Sequence, residues 1–387
     1  PYPSVGERQG GNGGVSSYSA NLARALRDQG LGVTVIAPFQ RGCPPVEVDA
    51  GVEVRRTFDL GARALPRAAR AAVGTGASVV HLQHEMFLYG GPSWIAGLPA
   101  GLGILRRAGA GPVVTMHQVV EPATVDASFT RLHRVRVPAP VARAGIFGVQ
   151  ETIRRIAPTT IVHETSFADT LPGTEVVPHG VELASPRDRA EARGRFGLDS
   201  RLTVLCFGYV APYKGLEAAL DAARLAGTEI DLVIAGGAHP RLAGRDDYQR
   251  ELVRQFGEVA RFTGYVPEEE VARWFAAADV ALLPYPKPFS SSGALALALA
   301  YGTPVLVSDE LARTTAAPSS LATSIEPTRL ADRLVALREP ARLEMLRRVS
   351  LSLARDRGWP EVARRHLSLY REVSHAASAS GRRFRTA

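Results

Sequence analysis

Short apolar, β-branched runs alternate with stretches of helical periodicity along most of the 387 residues. In the first half, Val33–Ala37, Val52–Thr57, Val79–Gln83, Val113–Met116, Thr160–His163 and Val176–Val177 read as strands. Val15–Gln29, Ala62–Val73, Trp94–Ala108 and Glu151–Ile156 read as helices; the first places Tyr18, Leu22, Ala25 and Leu26 on one stripe and stops at Gly30. The second half repeats the alternation. Thr203–Phe207, Asp231–Ile234, Val259–Phe262, Val280–Leu283 and Val305–Val307 are its strands, and Leu216–Ala226, Tyr248–Phe256, Pro267–Ala277 and Ala294–Tyr301 its helices. Helical segments at Pro327–Leu353 and Pro360–Val373 follow, with a basic, frayed end from Gly381. Two successive βα series predict an α/β chain with two Rossmann-like, doubly wound parallel sheets, in which ligands bind beyond the carboxyl ends of the strands. The expected domains are 1–182 and 200–355, joined by the charged, strand-poor stretch 183–199, with the C-terminal helix 357–387 packing back on the first. The glycine loop at 10–14 belongs to a βαβ unit whose first strand is expected upstream of Pro1.

Candidate chemistry gathers where strands end. His84, Glu85, His117 and His179 follow first-half strands, although a core histidine satisfied by its neighbours is the ordinary reading of any one of them. The densest stretch is Tyr285–Asp309, YPKPFSSSGALALALAYGTPVLVSD. A Ser/Gly loop there opens an Ala/Leu-rich helix, and a helix start with unpaired N–H groups suits a phosphate. A serine N-cap on a buried αβ unit is an equally good account of those residues alone. Only Lys214 and Lys287 among the 46 Lys and Arg are lysine, and both fall in loops after strands.

Composition narrows the class. With 45% hydrophobic and 22% charged residues the chain is globular. The formal charge of +8 is spread along the chain without a basic tail, which speaks against nucleic acid as a partner. No apolar run reaches the roughly 20 residues of a membrane span. Arg63, Arg67 and Arg70 share one helix face, where contact with an anionic lipid or phosphorylated acceptor competes with plain solvation. Cys43 and Cys206 have no metal or redox spacing and fit a reducing, cytoplasmic setting.

In the second half, VLCFGYVAPYKGLEAAL, DLVIAGG, RFTGYVPEEEVARWFAAADVALLPY and ALALAYGTPVLVSD occur in one order and spacing. Together with GGVSSYSANLARALRDQGLGVTVIA, VVPHGVE and WPEVARRHLSLY, they resemble the retaining glycosyltransferases of family 4. The resemblance implies the GT-B architecture, two Rossmann-like domains facing each other across a cleft, and a nucleotide-diphosphate sugar donor without a separate cofactor. It gives Gly13 and Gly14 the place of the glycine loop near the diphosphate, and His117 that of the histidine beside the transferred sugar. Lys214 takes the place of the phosphate-binding lysine, and Ser291, Ser292, Gly293 and Ala294 stand at the helix start under the phosphates. Tyr209 stands where many members carry arginine. Leu297 and Phe289 stand where they carry two glutamates, so this is a branch without that pair. His84, Glu85 and Glu121 are the candidates on the acceptor side.

The function so implied is metal-independent, retaining transfer of a sugar to the hydroxyl of a small-molecule, lipid-linked or glycan acceptor. The alternatives on the same architecture are a non-catalytic sugar-nucleotide-binding subunit and a sugar-nucleotide epimerase or phosphorylase. Peripheral membrane contact is compatible with each, and the oligomeric state is not legible.

Overall fold

The computed structural model describes residues 2–5, 14–86, 88–132, 135–185, 187–237, 247–287 and 292–384. The chain divides into a first unit, Pro1–Gly180 with Trp359–Ala387, and a second, Val181–Pro288 with Ser292–Gly358.

In the first unit, α1 (Gly14–Asp28) buries Tyr18, Leu22, Ala25 and Leu26, the stripe its periodicity marks. Strands β1 (Thr34–Pro38), β2 (Val46–Asp49) and β3 (Val52–Phe58) form a sheet in the order β1-β3-β2. The β1–β3 pair is parallel, but β2 runs antiparallel to β3, which corrects the all-parallel expectation. Ala50 and Gly51 both adopt positive φ, 47° and 81°, and make the tight turn of this hairpin. The alternation Val46-Glu47-Val48-Asp49 before Gly51 is the signal for it. After α2 (Ala64–Val73), β4 (Val79–His84) begins a second sheet. Its other strands are β5 (Gly111–Met116), β6 (Thr159–Val162) and β7 (Glu175–Val176), all parallel in sequence order. Every residue of β5 is buried, as in a sheet covered on both faces. Between the strands lie α3 (Leu98–Arg107), α4 (Ala127–Leu132), α5 (Ala139–Ile156) and α6 (Thr165–Thr170). Only the last turns of α5 were legible, because Pro140, Gly145 and Gly148 dilute its periodicity.

The second unit starts at Val181 and takes in the whole stretch expected to be a connection. There α7 (Arg189–Phe196) packs on a later helix: Phe196 stacks on Trp274 at 3.7 Å, and Arg189 and Arg193 pair with Asp279. Next come β8 (Leu202–Phe207), α8 (Leu216–Ala226), β9 (Ile230–Ala235), α9 (Asp247–Phe256) and β10 (Ala260–Gly264). They are followed by α10 (Glu268–Ala277), β11 (Val280–Leu283), α11 (Gly293–Ala300), β12 (Val305–Ser308), α12 (Asp309–Thr315) and β13 (Ala322–Thr323). The strands make one parallel sheet in the order β10-β9-β8-β11-β12-β13. Chain order reverses between β8 and β11, so the crevice at their carboxyl ends is the switch point of the sheet. The segment expected to be one helix from Pro327 is two, α13 (Pro327–Ala336) and α14 (Pro340–Asp356), each with proline in its first turn, where the missing N–H is harmless.

The closing α15 (Trp359–Phe384) belongs to the first unit and packs on α1 and β5. Trp359, Val362, Tyr370 and Val373 share a core cluster with Tyr18 and Leu22. Gly111 and Gly180 have no Cβ where Val373 and the Trp359 ring, respectively, come close.

Candidate active site

At the switch point of the second unit, the loop after β8 carries Lys214 and the loop after β11 carries Tyr285. Lys214 lies in a 3-10 turn, Pro212–Lys214, ended by Gly215 at φ 65°. Its ammonium donates to Tyr285 Oη at 2.5 Å and sits 4.3 Å from the centre of that ring. Ser292 Oγ lies 3.4 Å from the same Tyr285 oxygen. Ser292 also caps α11 by accepting from Leu295 N at 3.2 Å, which leaves the N–H groups of Gly293 and Ala294 without intrahelical acceptors. Ser308, the last residue of β12, donates to the Tyr285 carbonyl at 2.6 Å and ties this loop to the sheet.

Among the described residues no carboxylate forms an ion pair with Lys214. Burial pulls its pKa from the usual 10.5 down to about 8, opposed in part by the nearby Cys206. Among the described residues this half-buried cation has no counter-charge, and with the positive end of α11 beside it the arrangement suits an anion.

In the first unit, His84 ends β4, His117 follows β5 and His163 follows β6. His117 N donates to the His84 carbonyl at 2.9 Å. The His117 ring reaches His163 Nε2 with Nδ1 at 3.2 Å and the Gln83 carboxamide with Nε2 at 2.9 Å. His163 Nδ1 lies 2.9 Å from the Val177 carbonyl, and His179 Nδ1 lies 2.8 Å from the Gly180 carbonyl. Tyr18 of α1 meets the rings of His117, His163 and His179 at centroid distances of 4.6, 5.0 and 5.1 Å. Burial pushes His84 down to about 4 and His163 down to about 3, the latter helped by His179. Burial and then the neighbouring histidines also hold His117 well below its ordinary value. These rings are therefore neutral at pH 7 and act as dipoles and hydrogen-bond groups, not as cations.

The structure thus brings Lys214, Ser292, Gly293 and Ala294 together in the second unit, and His84, His117 and His179 together in the first. Tyr209 is 43% exposed in the loop after β8. Gly14 is the exposed first residue of α1, Glu85 is half-buried, and Glu121 is exposed before the turn Pro122–Thr124. Gly13, Ser291 and Phe289 lie outside the described residues. Leu297 is partly buried against the core of the second unit. Two residues were not singled out from sequence, Tyr285 and His163. Both follow a strand of a parallel sheet, and that position was their signal.

Comparison with known proteins agrees with this geometry. Residues 13–171 match the glycosyl transferase 4-like domain model, and residues 201–339 match the glycosyl transferases group 1 model. D-inositol 3-phosphate glycosyltransferase 1 of Catenulispora acidiphila is 30% identical over 403 residues, covering 94% of this chain and 92% of the relative. Sucrose-phosphate synthase from Thermosynechococcus elongatus has the same fold, with TM-score 0.68 at 19% identity over 94% of each chain. HepE of Anabaena, solved with UDP, superposes with TM-score 0.66 at 16% identity over 96% of this chain and 98% of its own. Among the described residues no helix is long and apolar enough to cross a membrane. The chain belongs to glycosyltransferase family 4 and is a glycosyltransferase of GT-B fold.

Proposed function

We propose that the chain moves a sugar from a nucleoside-diphosphate sugar to an acceptor hydroxyl with retention at the anomeric carbon and without a metal ion. The observation that carries this reading is the uncompensated Lys214 ammonium at the switch point, beside the start of α11. A diphosphate needs what this place offers, namely a fixed cation and N–H donors where the leaving group gathers charge. UDP in the similarly folded HepE supports a nucleotide ligand. In the proposed step the bond from the anomeric carbon to the diphosphate oxygen breaks. The acceptor oxygen bonds to the same face, and its proton passes to the departing diphosphate. Gly14, Gly293, Ala294 and Tyr209 belong to the donor side of this reading, and His117 to the transferred sugar. His84, Glu85 and Glu121 remain the acceptor-side candidates, and the acceptor is small, lipid-linked or part of a glycan.

The test is a panel of UDP-, GDP-, ADP- and dTDP-sugars in EDTA. A true donor raises the melting temperature by mass action. With D-inositol 3-phosphate as the first acceptor tried, it yields a product whose anomeric configuration matches the donor's. An inverted product, or activity lost in EDTA and restored by Mg²⁺, would overturn the mechanism.

A pH signature follows from Lys214. The free site holds its proton below pH 8 and sheds it above, whereas a bound diphosphate favours the protonated form and raises the pKa. Calorimetric affinity for UDP is expected to be flat between about pH 7, where the terminal phosphate of UDP is already fully ionised, and pH 8, and to fall by up to about tenfold per pH unit above it. Lys214→Arg, charged throughout, flattens the curve. A wild-type profile flat to pH 9.5 would exclude Lys214 from the phosphate site.

A further inference from the structure

The row of histidines in the first unit carries information that its members do not carry singly. The Val177 carbonyl can only accept, so the His163 Nδ1 facing it at 2.9 Å bears the proton. A neutral imidazole has one N–H, which leaves His163 Nε2 as a bare lone pair. Its partner at 3.2 Å is His117 Nδ1, which must therefore be the donor. His117 in turn is left with a bare Nε2. The hydrogen bond made by one ring nitrogen decides the state of the other, and here that decision passes through two rings in succession.

The surroundings hold this order in place. His163 is 3% exposed, and its Nδ1 acceptor is anchored because Val177 N donates to the Val162 carbonyl at the end of β6. Tyr18 packs edge-on against His117 at 86°. His117 itself keeps accessible surface, so it is the member of the pair that a ligand can reach. Gln83 places its carboxamide oxygen 2.9 Å from His117 Nε2; the bare lone pair calls for the carboxamide turned by half a revolution, so that its nitrogen donates.

We propose that His163 is a positioning residue that locks His117 in the Nδ1–H tautomer, so that Nε2 accepts from the Gln83 carboxamide nitrogen and the ring is held in one orientation beside the ligand. The proposal rests on the reading of His117 as the residue beside the transferred sugar.

The experiment is long-range ¹H–¹⁵N NMR of the whole protein with labelled histidine at pH 7.5, with signals assigned from single His variants. The expected result is Nδ1–H for both His163 and His117. His163→Gln keeps an acceptor oxygen near the former Nε2 and retains the His117 tautomer. His163→Leu removes the acceptor and lets His117 move to the Nε2–H form. UDP release from UDP-glucose gives the second readout. His163→Leu is expected to lower kcat roughly tenfold with little change in KM, and His163→Gln to recover most of that loss. Finding His117 as Nε2–H in the wild-type protein overturns the proposal, as does a His163→Leu variant that keeps Nδ1–H. A His117→Ala variant that releases UDP at the wild-type rate overturns instead the role given to His117, and leaves the tautomer result to judge His163 on its own.

Discussion

Lys214→Ala is expected to lower glycosyl transfer by roughly 100-fold or more, the scale on which loss of one preorganised charge partner acts. The ammonium is held on Tyr285 at the meeting of two loops, where chain order in the sheet reverses. It is set before the donor arrives, so no reorganisation is needed as charge develops on the leaving diphosphate. Fold stability should not fall, because burial of this uncompensated cation disfavours the native state, as the depressed pKa records. The sign follows from linkage. Between pH 8 and 10.5 the unfolded chain holds this proton more tightly than the native one, so the penalty is full below pH 8 and fades towards pH 10.5. Steady-state rates with the donor found in the sugar panel, together with urea denaturation, check both halves. Transfer within threefold of wild type would remove Lys214 from the catalytic machinery.

Gly215→Ala is expected to damage both the stability and the ligand site of the second unit. Gly215 sits at φ 65°, between the turn holding Lys214 and α8, in a left-handed conformation that penalises an L-residue by about 1–2 kcal/mol. An added methyl would also run into the Pro284 carbonyl oxygen and approach Pro286 Cδ to 2.9 Å, and overpacking of this kind costs about 1–3 kcal/mol. Both neighbours flank Tyr285, so relief of the clash must part the two loops that hold Lys214 and Tyr285 together. The expected outcome is a lower urea midpoint together with at least tenfold weaker UDP binding, about 1.4 kcal/mol. Trp274, stacked on Phe196, is the only tryptophan of this unit and reports its unfolding. An unchanged midpoint with unchanged UDP affinity would show that the loop has slack the structure does not suggest.

Much of the architecture is written locally. β-branched runs buried on both faces, such as β9 and β12, and Ala/Leu helices ended by glycine, such as α8, carry their period and their stops within a few residues. That is why the bounds read for α8 and for β11 agree with the structure. Strand ends are equally legible: that rule marks His84 and His117, and for Lys214 the rarity of lysine in the chain adds to its place in a loop after a strand.

Other features depend on pairing between distant segments, which no local period records. The hairpin of β2 and β3 needs two consecutive positive φ values, one of them at Ala50, which does not advertise it. α7 is too polar to reveal a buried face, and it is held by Phe196 on Trp274 and by two arginines on Asp279, more than 70 positions away. Sequence by itself determined the βα alternation, the two-unit plan and which strand ends carry ionisable groups, because helix and strand periods and turn chemistry are short-range. Only the tertiary structure decided that Tyr285 joins Lys214 and Ser292, and that Val177, His163 and His117 share one line of hydrogen bonds. Those contacts arise where parallel strands from separate βα units lie side by side, and strand order in a sheet is a property of the packed chain as a whole.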